Sequence, residues 1–336
     1  MKYTTLGKTN INVNKIGFGG IPIQRITLVE SIELVKRAVS EGINFFDTAR
    51  GYTCSEEYLG SGLLGLRDKV YVATKSMSRS YNEMKKDIQT SLNNLKTDYI
   101  DLYQFHNVKT IEEWNQIIGD NGALKALLEA KSNGVVRHIG ITSHSKDFLE
   151  WLLDSNYQDL IETIQYPLNF LEEEGIELFE KAIKKNIGTI AMKPLGGGMI
   201  DNASVALKYL MNQESLNVMI PGIGSISELL ENVNVKEGYF NDNEVKYITD
   251  LQNEMKGEFC HRCGYCLPCT KGIDIPGIFT LEKYYLKYGL KDWAISRYNN
   301  LKVKADACIN CGLCVKRCPY SLNIPNKLKE INKLFK

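Results

Sequence analysis

Eight of the nine cysteines in this 336-residue chain fall in two tight groups near its C-terminus. The first is Cys260-x2-Cys263-x2-Cys266-x2-Cys269, and the second is Cys308-x2-Cys311-x2-Cys314-x3-Cys318-Pro319. Such grouping is not that of a small secreted disulfide scaffold, so metal ligation is the better reading. A four-thiolate zinc site is one possibility. Three cysteines at successive x2 spacing, then a fourth and a proline, are more typical of a cubane iron–sulfur cluster than of the paired CxxC of a zinc ribbon. Eight thiolates suffice for two [4Fe–4S] clusters. Cys54 stands apart and reads as an ordinary thiol.

A second set of chemically capable residues lies in the N-terminal part: Asp47, Tyr52, Lys75 and His106. Any one alone has a bland reading as a capping, solvated or structural residue. Together they form a proton-transfer set. Hydride addition to a carbonyl leaves developing alkoxide charge, which needs a nearby proton donor. A free phenol, with a pKa near ~10, is too weak an acid for easy two-way transfer at neutral pH. An ammonium beside Tyr52 favours phenolate. A carboxylate at Asp47 holds Lys75 charged and oriented, and His106 can donate to the substrate oxygen.

The elements that must position these residues alternate. Short β-branched runs at Lys15–Phe18, Ile43–Asp47, Val70–Lys75, Ile100–His106, Val136–Thr142, Ile161–Gln165, Gly188–Lys193 and Val218–Ile220 read as strands, several apolar on both faces, as buried parallel strands are. Helical patterns such as Leu28–Ser40, Tyr81–Leu95 and Glu173–Lys185 separate them. Gly42, Gly134 and Gly188 fall where helices are expected to end. Eight such units fit an α/β (β/α)₈ TIM barrel, preferred to a doubly wound sheet on count. Lys2–Leu6 and Ile11–Val13 read as a hairpin closing the barrel's N-terminal end, and Asn243–Glu254 as one more helix. In a barrel, chemistry belongs at the C-terminal ends of the strands, where Asp47, Tyr52, Lys75 and His106 all fall.

On these residues the chain resembles the aldo-keto reductase family. Phe46-Asp47-Thr48-Ala49-Arg50-Gly51-Tyr52, Ala73-Thr74-Lys75 and Tyr103-Gln104-Phe105-His106-Asn107 look like its three tetrad motifs, and the likeness runs over roughly residues 3 to 235. The resemblance implies reversible, nicotinamide-dependent reduction of a small carbonyl compound. It also implies that Ser143, His144 and Gln165 meet the nicotinamide carboxamide, with His144 standing where many relatives carry Asn. Met192 replaces the Tyr that commonly stacks on the ring. After the eighth strand, Gly222 and Glu228 stand near positions that are basic in NADPH-preferring members. A carboxylate there repels a 2′-phosphate and can accept from a free ribose hydroxyl, which tips the expectation from NADP(H) towards NAD(H). Gly222, Gly224 and Ser225, with Glu228 and Asn232 of the helix Ser227–Asn234, complete the candidate dinucleotide site, the backbone amides of 222–225 forming a phosphate cradle.

The second cysteine run matches that of bacterial ferredoxins, and the first is one residue shorter in its last gap. In two-cluster ferredoxins the fourth cysteine of each run serves the other cluster. The resemblance therefore implies Cys260, Cys263, Cys266 and Cys318 at one cluster, and Cys308, Cys311, Cys314 and Cys269 at the other. The stretch Phe279–Asn300, with Tyr284, Tyr285, Tyr288 and Trp293, suggests the helical type of dicluster ferredoxin, its aromatics packing over the clusters.

These readings divide the chain into a barrel at residues 1–256 and a ferredoxin-like domain at 257–336. A net charge of +1 gives no reason to expect nucleic acid or an anionic membrane as partner. No apolar run is long enough to span a bilayer, and the N-terminus lacks a signal-peptide core, so a cytoplasmic location is expected. A hydride carries two electrons while each cubane accepts one, and no flavin signature bridges the two modes. Isolated structural or redox-sensing clusters are preferred to electron exchange with an external carrier. A redox-sensing binding protein on an inactive barrel is the non-enzymatic alternative, opposed by the intact tetrad.

Overall fold

The computed structural model describes residues 3–255, 260, 263–286 and 291–335. Two compact units emerge, Met1–Gly196 with Ile200–Gln252, and Gly197–Met199 with Asn253–Lys336. The expected junction at residues 256 and 257 lies outside the described residues.

In the first unit, β1 (Tyr3–Thr5) and β2 (Asn12–Asn14) form an antiparallel hairpin with Tyr3 opposite Asn14. Eight parallel strands follow in sequential order: β3 (Phe18–Gly19), β4 (Phe45–Asp47), β5 (Tyr71–Ser76), β6 (Ile100–Phe105), β7 (Val136–Thr142), β8 (Thr163–Pro167), β9 (Gly188–Met192) and β10 (Val218–Met219). Parallel bridges from Ile16 to Met219 and from Gly19 to Gly222 close the ring. The Gly17 and Gly19 N–H groups donate to Met219 and Pro221 carbonyls at 2.8 Å across that seam. The fold is a (β/α)₈ barrel.

Both faces of the strands are covered, which explains their apolar runs. Leu6, Val13, Phe45, Leu102, Ile190 and Val218 pack together in one cluster with the hairpin. Phe46, Val72, Tyr103 and Ile141 on alternate strand positions pack in a second with helix residues such as Leu34, Ile88 and Leu152. Helix Leu28–Ser40 begins with a capping box, in which Thr27 Oγ1 accepts from the Glu30 N–H while Glu30 accepts from the Thr27 N–H. Helices Leu28–Ser40 and Tyr81–Leu95 keep their expected bounds, and that at 173–185 is trimmed to Gly175–Lys184.

Two expectations are corrected. Gly188 does not end a helix. Lys185 caps that helix, Asn186 takes the left-handed backbone at φ 56°, and Gly188 opens β9. Its glycine is required by packing, because a Cβ there would stand 2.8 Å from the Leu6 side chain of the hairpin loop. The first barrel strand is Phe18–Gly19 rather than Lys15–Phe18. Lys15 instead turns its buried Nζ to the Met211 and Gln213 carbonyls at 3.0 and 2.6 Å, tying down the end of helix Ala203–Met211.

The second unit is helical, with Ile275–Leu286, Lys291–Asn299, Leu313–Arg317 and Ile324–Leu334 around a core of Ile275, Ile278, Tyr298, Leu328 and Ile331. The expected helical stretch Phe279–Asn300 divides between the first two helices, and Tyr288 falls outside the described residues. Its aromatics pack: Tyr284 lies 4.7 Å from Trp293 between ring centroids, and Tyr298 stacks on Phe335 at 4.5 Å. Among the described residues no helix is long and apolar enough to cross a membrane.

Candidate active site and cysteine cavities

Asp47 is the last residue of β4, Lys75 the next-to-last of β5, and His106 follows β6 directly. Strand register puts Asp47 beside Ala73 and Lys75 beside Gln104, so neighbouring strands bring these side chains to one rim. Tyr52 sits in the loop after β4, which is pinned to β5: the Thr48 N–H donates to Ala73 O and the Arg50 N–H to Lys75 O, each at 2.9 Å. The Thr48 hydroxyl donates to Ser55 Oγ at 2.8 Å, fixing the loop's far end.

The four side chains come together. Lys75 Nζ donates to Asp47 Oδ1 at 2.5 Å and to Thr48 O at 2.9 Å, and stands 5.2 Å from the centroid of the Tyr52 ring. The Tyr52 and His106 rings meet edge to face, 6.0 Å apart. Asp47, Lys75 and His106 are buried, whereas Tyr52 is half-buried. Burial lowers the Lys75 ammonium against the opposing pull of Asp47, and raises the Asp47 carboxyl against that of Lys75. Each partner thus holds the other's charge against desolvation. Burial first, then the charges of Lys75 and Arg79, keep His106 well below the ordinary imidazole range. Its ring is therefore neutral at neutral pH, with one N–H to donate.

A supporting layer is invisible to motif reading. Glu56, in helix Ser55–Gly62, is 1% exposed and accepts from Arg50 Nη1 at 2.6 Å, Ser91 Oγ at 2.7 Å, Thr74 Oγ1 at 2.8 Å and Asn94 Nδ2 at 3.1 Å. Arg50 and Thr74 adjoin the loop and strand that carry Tyr52 and Lys75, so this carboxylate fixes both. Arg79 donates to the His106 carbonyl at 2.9 Å and to that of Asn107 at 3.3 Å. Asn107 itself is held left-handed at φ 54°. The only sequence hint was charge at positions that helix phase turns inward.

The candidate dinucleotide residues divide. Ser143 and His144 are buried just after β7, and Gln165 is buried in the middle of β8. The Ser143 hydroxyl donates to Val108 O at 2.5 Å and accepts from the Ser145 N–H at 2.9 Å, so towards a ligand it offers an acceptor. Gln165 bonds to Asp47 and leaves its buried Oε1 without a partner among the described residues. After β10, Ser225 caps the helix Ile226–Val233, accepting from the Glu228 N–H at 3.2 Å. Glu228 Oε2 turns back to accept from the Gly224 N–H at 2.7 Å, and the Ile223 N–H donates to Gly19 O at 3.3 Å. Two amides of the expected cradle therefore already have acceptors. Gly222 approaches Pro22 so closely that a Cβ would lie 2.9 Å from its Cγ. Asn232 is buried one turn further along. Met192 ends β9, half-buried.

In the second unit the cysteines line two cavities. One is lined by Cys260, Cys263, Cys266 and Cys318. The other is lined by Cys269, Cys308, Cys311 and Cys314, and also by Cys266, which thus borders both. Burial, then the neighbouring thiols of Cys260 and Cys263, push the Cys266 thiol up to about 12. Burial also raises Cys314. Cys311 is exposed and lowered, chiefly by the Leu313 N–H and then by Thr270, whose hydroxyl lies 3.6 Å from its sulfur. Among the described residues, no three His, Cys, Asp or Glu side chains form a site for a single metal ion. The sulfurs surround spaces instead.

Comparison with known proteins agrees with both units. Residues 15–204, more than half of the chain, match the model of the aldo/keto reductase family, and residues 259–323 match a 4Fe-4S dicluster domain. L-galactose dehydrogenase of Arabidopsis thaliana is 27% identical over 278 residues, which span 68% of this chain and 86% of that protein. The 6-dehydroglucose reductase of Novosphingobium aromaticivorans is 28% identical over 226 residues, 61% of this chain and 72% of that one. Among solved structures, aldo-keto reductase AKR11C1 from Bacillus halodurans superposes with a TM-score of 0.63 at 24% identity, over 75% of this chain and 96% of its own. A closed eight-stranded barrel with a tetrad at its rim, matched over most of its length, places the chain in the aldo/keto reductase family, with a 4Fe-4S dicluster domain at its C-terminus.

Proposed function

We propose that the barrel catalyses reversible, nicotinamide-dependent reduction of a small carbonyl compound, and that the second unit holds two [4Fe–4S] clusters. The observation that carries the enzymatic reading is the convergence of Tyr52, Lys75, Asp47 and His106, with Lys75 Nζ 2.5 Å from Asp47 and 5.2 Å from the Tyr52 ring. A bound reduced nicotinamide supplies the hydride. The Tyr52 hydroxyl gives its proton to the oxygen that becomes the alcohol, and recovers it in the reverse direction. Lys75 stabilises the phenolate left behind, and Asp47 keeps Lys75 charged and aimed. Neutral His106 donates one hydrogen bond to the substrate oxygen and fixes its approach.

The residues fit a nicotinamide carboxamide. The unpaired Gln165 Oε1 accepts from its NH₂, as does the remaining lone pair of Ser143, with His144 alongside. Glu228, with Gly222, Gly224, Ser225 and Asn232 around it, favours NAD(H), because its carboxylate opposes a 2′-phosphate. The names of two relatives point to sugars, so sugar-derived carbonyls head the substrate panel.

Cys260, Cys263, Cys266 and Cys318 suit one cubane, and Cys269, Cys308, Cys311 and Cys314 the other. Thiolates ringing a space suit a polynuclear cluster, whereas a zinc site draws four sulfurs to about 2.3 Å from one ion. The decisive test is an anaerobic carbonyl panel with NADH and NADPH, using Tyr52→Phe as control. Turnover abolished in the variant, with nicotinamide binding kept, supports the assignment. A variant as active as the parent sinks it.

A further inference from the structure

The two cysteine cavities differ in exposure. Cys266 in the first is buried, and its companions Cys260, Cys263 and Cys318 are half-buried. In the second, Cys311 reaches the surface, and its rim presents apolar side chains to solvent: Ile309 is 58% exposed, and Leu267 and Leu313 are each 38% exposed. Charge around this rim is one-sided. Residues 267–272 and 301–318 carry five cations, Lys271, Lys302, Lys304, Lys316 and Arg317, against the single acid Asp306. The whole chain is balanced, with 41 basic and 40 acidic residues, so the excess is local. Lys271, Lys302, Lys316 and Arg317 are exposed.

An apolar centre beside an exposed ligand, in segments with an excess of like charges, suits the small, transient, electrostatically steered contacts of electron transfer. A structural cluster has no need of such a rim.

We infer that the exposed rim around Cys311 is the docking surface for a small acidic one-electron carrier protein of the ferredoxin class, which exchanges electrons with the cluster held by Cys269, Cys308, Cys311 and Cys314. The step is a single electron transfer. The reduced carrier loses one electron and becomes oxidised, the chain's cluster falls from the 2+ to the 1+ state, and no bond or proton moves. Two clusters together store two electrons, the number carried by one hydride. The inference rests on the proposed cluster assignment, and it departs from the sequence-based preference for isolated clusters.

The test uses the full chain purified anaerobically with its clusters, first counted by iron analysis and by electron paramagnetic resonance after dithionite reduction. The probe is an acidic plant-type [2Fe–2S] ferredoxin. Its affinity is measured at low and high salt, and its reduced form is mixed with the chain while cluster bleaching is followed. Lys271→Glu/Lys316→Glu is expected to weaken binding and slow bleaching by roughly tenfold or more at low salt, with the difference fading at high salt. Ile309→Ala should weaken binding at both salt concentrations, with both clusters retained. A charge reversal on the barrel unit, Lys36→Glu/Lys184→Glu, should change neither readout. Clusters present in the parent, with no ferredoxin binding or an equal effect from the barrel-unit reversal, overturn the docking surface and leave the cluster assignment standing. Absence of clusters from the parent overturns both.

Discussion

The Asp47–Lys75 pair separates stability from catalysis in a way that can be measured. The two side chains are 3% and 1% exposed, so solvent screening gives no discount. Removing one member of a buried pair strands the other and costs about 3–5 kcal/mol. In a unit of this size each kcal/mol moves the melting temperature by roughly 2–4 °C, so Lys75→Met and Asp47→Asn should each lower it by ~10 °C. The double variant leaves no stranded charge. Its cost should fall short of the sum by at least ~2 kcal/mol, a coupling expected only of direct partners. Turnover should behave differently, because the double variant still lacks the ammonium beside Tyr52 and stays as inactive as Lys75→Met. The pH dependence has a definite sign. Burial raises the folded Asp47 carboxyl above its unfolded value, and without Lys75 nothing opposes it strongly. The folded variant then binds a proton that the unfolded chain releases, so its deficit shrinks as pH falls towards ~4 and grows as pH rises. Denaturant unfolding followed by amide exchange in β4 and β5, beside a turnover assay, gives both quantities. Additive stability losses, or activity recovered in the double variant, would refute the reasoning.

Three further outcomes are expected. Tyr52→Phe should lower kcat by ~10²–10⁴ while fluorescence titration shows unchanged nicotinamide affinity. Glu228→Gln keeps an acceptor for the Gly224 N–H but removes the charge, so it should tighten NADPH by roughly 2–5-fold and leave NADH unmoved in paired titrations. Glu162 is held down to about 2, burial being outweighed by His138, Lys131 and the Ile139 N–H. Its contribution to stability is full above the unfolded carboxyl value of ~4.3 and is lost as pH falls through about 2. Thermal unfolding of Glu162→Gln should therefore differ from the parent at neutral pH and converge with it over that interval.

Much of the barrel was legible because its strands carry long-range information locally. Phe45 with Phe46, and Val72 with Ala73, are consecutive apolar pairs that face opposite sides of the sheet, as a parallel sheet covered on both faces asks. The tetrad could be read because strand ends share a rim. What stayed hidden depends on partners distant in sequence. Glu56 and Glu57 are adjacent and alike, yet Glu56 alone meets Arg50, Thr74 and Ser91, and helix phase alone separates them. Gly188 resembled a helix stop until Leu6, some 180 residues earlier, proved to occupy the space of its missing Cβ. The Ser143 hydroxyl is committed to the Val108 carbonyl, a contact that motif likeness does not encode. That Cys269 and Cys318 line cavities with cysteines of the opposite runs needed a ferredoxin likeness to suggest it, since the irregular first run cannot specify it by spacing.

The seam that closes the barrel has a temporal consequence. Residues 16–19 find their partners only at 219–222, so the first strand waits through nearly the whole barrel for its second neighbour. On a ribosome, where N-terminal regions fold first, the ring stays open until those last residues emerge. The cysteine runs begin about forty residues later. Most of the cysteines therefore leave the exit tunnel when the ring can already shut, which separates folding of the oxidoreductase scaffold from assembly of the proposed clusters.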